Sequence, residues 1–515
     1  MSNRKVEQTW RYHNSTKHPG MPPHYLDWDN QPIPFKIYTT LDPIKLSIDK
    51  PYANVPVLKA LSDSVNTNVK EFIPELSTVA QLLFLSAGIT KKKKYPGGEM
   101  YFRAAACTGA LYHIDTYIVT TEIKDLEAGV YHFDPHDFSL KRLRKGDLRP
   151  VLVHATARDD ALSKAPMILV CTSTFWRNSW KYQSRAYRHT FWDSGTILSN
   201  ILAVSSAYEI PVKLVTGFVD KTVNDLLGLD ITREVAVSLV TIGITENETE
   251  DIEINLEKLS YETMPLSREE IDYPTIRRMH EASSLDSIEE VSEWRKATIQ
   301  TPINKPQGKL IPLKLEQDPL SNTTSDSIGE TILKRGSTRK FSRLSITFEQ
   351  LSKILYFTTR GIPSDFLDSL DTTLNDIYVI VNEVEGIPKG SYYYHHDKLS
   401  LELLKEGDFR RKAGHLGLGQ DIPADASVNV YFLVDLDSIL ENFGNRGYRA
   451  VELEAGILGG KLYLCAYGLG LGASGLTFFD DEVTDFFSPH AKGKSVMFLV
   501  AIGKSGSKKL SFTGA

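Results

Sequence analysis

Phe102-Arg-Ala-Ala-Ala-Cys-Thr-Gly-Ala-Leu-Tyr112 is a run of small residues that leads into a strand-like segment, Tyr117-Ile-Val-Thr-Thr121. Small side chains let backbone amides approach a flat ligand closely, whereas bulky ones would block it. The same composition also serves ordinary backbone packing. Two features elsewhere turn the reading toward a ligand: a basic motif far down the chain, Lys334-Arg-Gly-Ser-Thr-Arg-Lys-Phe341, and an internal repeat that relates the two halves.

The repeat runs at a constant separation of 261 positions. Asp115, Tyr117 and Glu122 match Asp376, Tyr378 and Glu383. Gly129, Tyr131, Gly146, Asp147 and Arg149 match Gly390, Tyr392, Gly407, Asp408 and Arg410. Arg185, Tyr187, Arg188, Gly195, Phe218 and Asp220 match Arg446, Tyr448, Arg449, Gly456, Phe479 and Asp481. One offset across three blocks argues for duplication. The expectation is an α+β fold in which two copies of one domain, each a mixed sheet covered by helices, form a pseudo-dimer within the chain.

The 515 residues are enough for two such cores. Residues 1–55 read as an ordered, extended arm, because Pro19, Pro22, Pro23, Pro32 and Pro34 leave no room for a long helix. The first domain then spans 56–245, a polar and acidic linker that can wrap a domain spans 246–319, and the second domain spans 320–515. Apolar spacing predicts a helix from Ser77 to Ile89, ending at Gly88. A hairpin is expected over Gly129–Leu143, buried strands over Met167–Thr172 and Val235–Ile242, and a helix capped by Asp193.

Composition narrows the partners. Lys plus Arg number 59 against 65 Asp plus Glu, a net charge of −6, which gives no electrostatic case for nucleic acid or an anionic membrane and points to a small or neutral ligand. Three scattered cysteines offer neither a disulfide framework nor a thiolate metal site. With a polar start and no run of eighteen apolar residues, the chain is expected to be soluble and cytoplasmic.

The two copies diverge in complementary ways. Ala106-Cys-Thr-Gly-Ala-Leu-Tyr112 becomes Leu367-Asp-Ser-Leu-Asp-Thr-Thr373 in the second half, so the cradle is lost there. Leu58-Lys-Ala-Leu-Ser-Asp-Ser-Val-Asn66 in the first half has nothing like Arg335-Gly-Ser-Thr-Arg339. Two arginines around a hydroxyl suit a phosphate, although a solvated basic turn reads the same way. Lys181-Tyr182 also exists only in the first copy; a Lys ammonium beside a Tyr hydroxyl can lower both pKa values and move protons near neutrality. The plain alternative is an amphipathic pair at a helix edge. His189 faces Ala450 across the repeat. One composite site built between the halves follows.

These motifs resemble a known family. Lys334–Phe341 is similar to the flavin-phosphate motif that opens nitroreductase-fold domains. Arg103–Tyr112 is similar to the Arg-x-x-Pro-Ser-x-Gly-Ala-Leu-Tyr segment of its azoline-oxidising branch, the dehydrogenases of the streptolysin S and cyanobactin pathways. Leu126–Phe133 and Arg185-Ala-Tyr-Arg-His189 resemble that branch too. Ala106-Cys107 stands where the branch has Pro-Ser, and no fused precursor-recognition domain is apparent.

The resemblance implies FMN at an interface between the halves, and the complementary divergence of the two copies points to one per chain. Arg335, Ser337 and Arg339 would hold phosphate and ribityl; Ala106, Cys107, Thr108 and Gly109 would touch the ring, with His189 at its carbonyl edge. Ser474, Gly475 and Leu476 would pass near the reactive nitrogen, and Lys504, Lys508 or Lys509 would add charge at the phosphate. Lys181 and Tyr182 match the pair to which azoline oxidases assign proton removal.

The resulting expectation is an FMN-dependent dehydrogenase acting on a small or peptide-borne heterocycle. The alternatives are an NAD(P)H-dependent nitro or quinone reductase, which binds nicotinamide only transiently, and a non-catalytic scaffold of a peptide-modifying complex. The chain would act as a monomeric pseudo-dimer or as a homo-oligomer.

Overall fold

The computed structural model describes residues 3–506 apart from 49–51, 53, 63–68, 96–97, 253, 298–304 and 321–324. Two seven-stranded sheets are built alike. In the first, Ile114–Thr120, Gly129–Asp134 and Ser139–Lys145 run as consecutive hairpin partners, and Met167–Thr174, Glu234–Ile242 and Val212–Val215 extend the other side. The second repeats this with Asp376–Val381, Gly390–His395, Ser400–Glu406, Val428–Val434, Ser495–Gly503 and Gly472–Leu476.

Every strand pair in these two sheets is antiparallel, which corrects the expectation of mixed sheets. The reason lies in the crossover. Met167–Thr174 and Val212–Val215, joined through helices, point the same way, but Glu234–Ile242 inserts between them and pairs antiparallel with both. The central strands are buried along their whole length, as their unbroken apolar runs require.

The halves meet along two long helices, Ala186–Ala207 and Asn445–Gly468, nearly all of whose residues are buried. They cross at the repeated glycines: a Cβ on Gly195 would lie 2.5 Å from the Gly456 carbonyl carbon. Only a pair of glycines lets two backbones come this close. Two buried ion clusters flank the crossing. Asp480 accepts from Arg185 and Arg188 of the first central helix and the turn before it, and Asp220 accepts from Arg446 and Arg449 of the second. These clusters show that Asp220 pairs with Asp480, and Phe218 with Phe478, one position short of the expected Asp481 and Phe479. The connection entering Gly472–Leu476 is one residue shorter than its first-half equivalent, and the offset of 261 is regained at the last strand.

The duplication also reaches further than the sequence shows. Arg188 donates to the His13 carbonyl and Thr16 hydroxyl, while Tyr448 bonds the His13 ring. Arg449 donates to the His280 carbonyl and Ser283 hydroxyl, while Tyr187 bonds the His280 ring. Helix Pro274–Ala282, inside the expected linker, is thus the second copy of helix Glu7–Ser15 in the arm. The edge strands Pro43–Lys45 and Lys309–Pro312 likewise belong to their sheets, so boundaries at 55 and 319 would each part an edge strand from the sheet it joins.

Candidate functional site

Helix Phe175–Tyr182 ends where Gln183 adopts a positive φ, and a short turn then launches the central helix at Ala186. Asp193 therefore lies inside that helix, not at its start as a cap. Its buried carboxylate instead collects the cradle: it accepts from the Thr108 amide (2.9 Å), the Thr108 hydroxyl (2.8 Å) and the Cys107 thiol (3.0 Å), and bonds the His113 ring (2.9 Å). Burial and this carboxylate push the Cys107 thiol well up, so it stays a neutral donor. Thr196 adds a bond to the Ala106 carbonyl. The cradle bends sharply, with Gly109, Ala110 and Tyr112 all at left-handed φ of 65°, 56° and 49°. Two non-glycine residues held there mark a segment fixed by its surroundings.

The second half reaches this segment through Arg335, whose Nε and Nη2 donate to the carbonyls of Ala104 (2.8 Å) and Arg103 (2.9 Å). Arg335 thus ties the cradle directly, a task that sequence reasoning did not assign to it. Ser337 bonds the Tyr463 hydroxyl, which also accepts from the Gly475 amide at 2.5 Å, so one tyrosine links the basic motif to Ser474-Gly475-Leu476. Thr338 donates its amide to the Ala473 carbonyl. Arg339 lies close enough for its charge to act on both Lys181 and Tyr182.

Tyr182 rests on the cradle: a Cβ at Gly109 would sit 3.0 Å from its hydroxyl, and its ring meets His189 edge-on at 4.5 Å. Lys181 lies against the same ring, 5.4 Å from its centroid. Burial and Arg339 lower the Lys181 pKa. Tyr182 is shifted the other way, upward, by burial first and then by Asp193 and Cys107, which corrects the expectation that both values fall. Burial thus favours the phenol form of Tyr182 and disfavours the ammonium form of Lys181.

Cradle, basic motif, the Lys181-Tyr182 pair, His189 and Ser474–Leu476 thus come together. Lys504 is exposed, and its carbonyl accepts from Ser342; Lys508 and Lys509 lie outside the described residues, as do residues 63–66. Asp193, His113 and Tyr463 were missed. A signal for Asp193 was present: Glu454 stands 261 positions on, and its carboxylate likewise accepts from backbone amides, those of Leu374 and Asn375.

The profile of the nitroreductase family matches residues 76–244 and again residues 332–504. The chain belongs to the nitroreductase family. A crystal structure from Anabaena variabilis, described as a nitroreductase, overlays on 97% of this chain and 99% of its own at 26% identity and a TM-score of 0.76, so both halves match together. A Methanocaldococcus jannaschii protein described as a nitroreductase is 27% identical over 162 residues, covering 30% of this chain and 81% of that one. A chain of the E. coli microcin synthetase McbBCD complex overlays on 44% of this chain and 80% of its own at 18% identity and a TM-score of 0.30, a likeness that bears on neither substrate nor partner.

Proposed function

We propose that this flavin-dependent oxidoreductase holds FMN in the composite site and works as a dehydrogenase, moving hydride between an organic substrate and the flavin. One observation carries the reading: Arg335 of the second half grips the cradle of the first, on which Tyr182 of the first half also rests. The residues present fit a cofactor with polar edges. The Nε2 of His189, Nδ2 of Asn178, Oγ of Ser474 and Oγ1 of Thr477 are buried without a hydrogen-bond partner among the described residues. Buried polar atoms are rarely left so.

In this reading Arg335, Ser337, Arg339 and Lys504 would hold the phosphate end, Ala106, Cys107, Thr108 and Gly109 would contact the ring, and His189, Ser474, Gly475 and Leu476 would meet its polar edges. The flavin supplies two-electron acceptor chemistry when bound. The chain's own part is to orient and to move a proton. Lys181, whose ammonium form burial and Arg339 disfavour, takes the proton from the substrate when neutral, and the Tyr182 phenol donates a hydrogen bond that fixes the approach. Asp193 keeps the cradle rigid, so little reorganisation accompanies the reaction.

The motifs of the azoline-oxidising branch support a heterocycle, free or carried on a peptide, as substrate. The visible spectrum of the purified chain tests the flavin, and oxidation of a thiazoline-bearing peptide tests the reaction. A second reading, reduction of nitro or quinone compounds at the expense of NAD(P)H, is favoured by the descriptions of the Anabaena and Methanocaldococcus relatives. NADH or NADPH consumption with a nitroaromatic decides between them.

A further inference from the structure

Pseudo-symmetry makes a second position equivalent to the composite site, and the two are finished differently. Around the working site, Tyr182, Ser474 and Thr477 have as second-position counterparts Phe443, Leu214 and Gly217. At the working site the cradle carbonyls of Arg103 and Ala104 are held by Arg335, and the outer edge of Ser474 has no strap hydrogen-bonded to it among the described residues. At the second position the equivalent strap, Pro363–Asp365, has closed onto the strand. The Leu214 amide donates to the Pro363 carbonyl (2.8 Å), and the Asp365 amide donates to the Leu214 carbonyl (3.1 Å).

The Asp365 carboxylate completes the closure by accepting from the Thr216 amide (2.9 Å), the Thr216 hydroxyl (3.0 Å) and the Gly217 amide (2.7 Å). The remaining space is taken by Trp294, which is 1% exposed. Its ring lies where a Cβ on Gly217 would meet it at 2.9 Å, and its centroid is 5.5 Å from that of Phe443. Trp294 comes from the second arm. The matching stretch of the first arm also carries a tryptophan, Trp28, but that one packs edge-on against Trp180 and is 65% exposed.

We propose that the second position is a self-occupied cofactor site: the indole of Trp294 fills the place of a planar heteroaromatic ring, and the Asp365 strap takes the strand's hydrogen-bonding edge. The chain then binds one flavin, and removal of the indole creates a slot for a planar aromatic ligand. The stoichiometry rests on the flavin reading above; the slot does not.

The test titrates the full-length apo chain with FMN and, in parallel, titrates the parent and Trp294→Ala with indole and benzimidazole, following thermal shift and calorimetry. One FMN per parent chain is expected, together with indole binding at least tenfold tighter in Trp294→Ala than in the parent. Two FMN per chain would overturn the proposal. So would a folded Trp294→Ala chain that binds indole no better than the parent. No FMN at all would sink the flavin reading, while the indole arm would still judge the plug. If Trp294→Ala does not fold, Trp294→Leu replaces it, with the same gain expected at smaller size and the same absence of gain counting against the plug.

Discussion

Gly195 and Gly456, the same residue of the duplicated unit, lie back to back where the two central helices cross. A Cβ on Gly456 would in turn come within 2.7 Å of the Trp192 carbonyl oxygen. Neither backbone can yield without separating the halves, so Gly195→Ala is expected to cost about 1–3 kcal/mol or more, as overpacking does. Urea unfolding followed by far-UV circular dichroism measures this. A midpoint equal to the parent's would show that the seam is more pliable than the glycines imply.

Asp480 and Asp220 bind the halves in reciprocal fashion, each taking two guanidinium groups from the opposite half. Both carboxyls are held far below the ordinary range; burial opposes this, and the arginines win. A depressed carboxylate contributes stability that is present above its unfolded value, about 4, and is lost as pH falls below it. Asp480→Asn is therefore expected to lose about 3–5 kcal/mol at pH 7, since two buried arginines lose their counter-charge. Its stability should also fall less steeply than the parent's between pH 4 and 3. Unfolding midpoints across pH 3–7 for both chains supply the check, and parallel acid limbs would remove Asp480 from the account.

Arg335 serves two tasks, cradle and phosphate, and only a planar fork reaches two adjacent carbonyls. Arg335→Ala is expected to weaken FMN binding at least tenfold, in line with about 1.5–3 kcal/mol for a charge-assisted bond. Arg335→Lys should restore the charge but little of the binding, because one ammonium cannot replace the paired contacts to Arg103 and Ala104. FMN affinity by fluorescence quenching separates the two tasks; full recovery in the lysine variant would leave charge alone as the cause.

The sequence carried the duplication because constraints at the seam act on single residues. Glycines at a helix crossing and arginines facing a buried aspartate cannot drift, so Gly195, Gly456, Arg185 and Arg446 kept both register and identity. The arms were invisible for the opposite reason. His13 and His280 contribute mostly backbone carbonyls and a ring edge, which few neighbouring side chains need to match, and Thr16 is answered by Ser283. The candidate site was legible where divergence was chemical, at Arg335–Arg339 and Lys181-Tyr182. It was illegible where one residue served through another, as Asp193 does through Thr108 and Tyr463 through Gly475. The filling of the second position depends on a tryptophan arriving from an arm whose repeat character the sequence conceals.

Lys181 offers the sharpest test of the proton path. Its ammonium is disfavoured first by burial and then by Arg339, so its neutral form is reached at lower pH than in a free lysine. If neutral Lys181 takes the substrate proton, kcat rises with pH along a limb set by that residue. Arg339→Gln removes a repelling cation, raises the Lys181 pKa and should move the limb to higher pH when measured at saturating FMN. Tyr182 remains protonated throughout this range, so Tyr182→Phe should lower kcat without moving the limb, and Lys181→Ala should lose about 10²–10⁴ in rate while keeping FMN. Profiles of kcat against pH for the parent and these variants read all three effects together. A limb that stays in place in Arg339→Gln, or parent-level turnover in Lys181→Ala, would assign the base to another group and return Lys181 to a packing role at the edge of its helix.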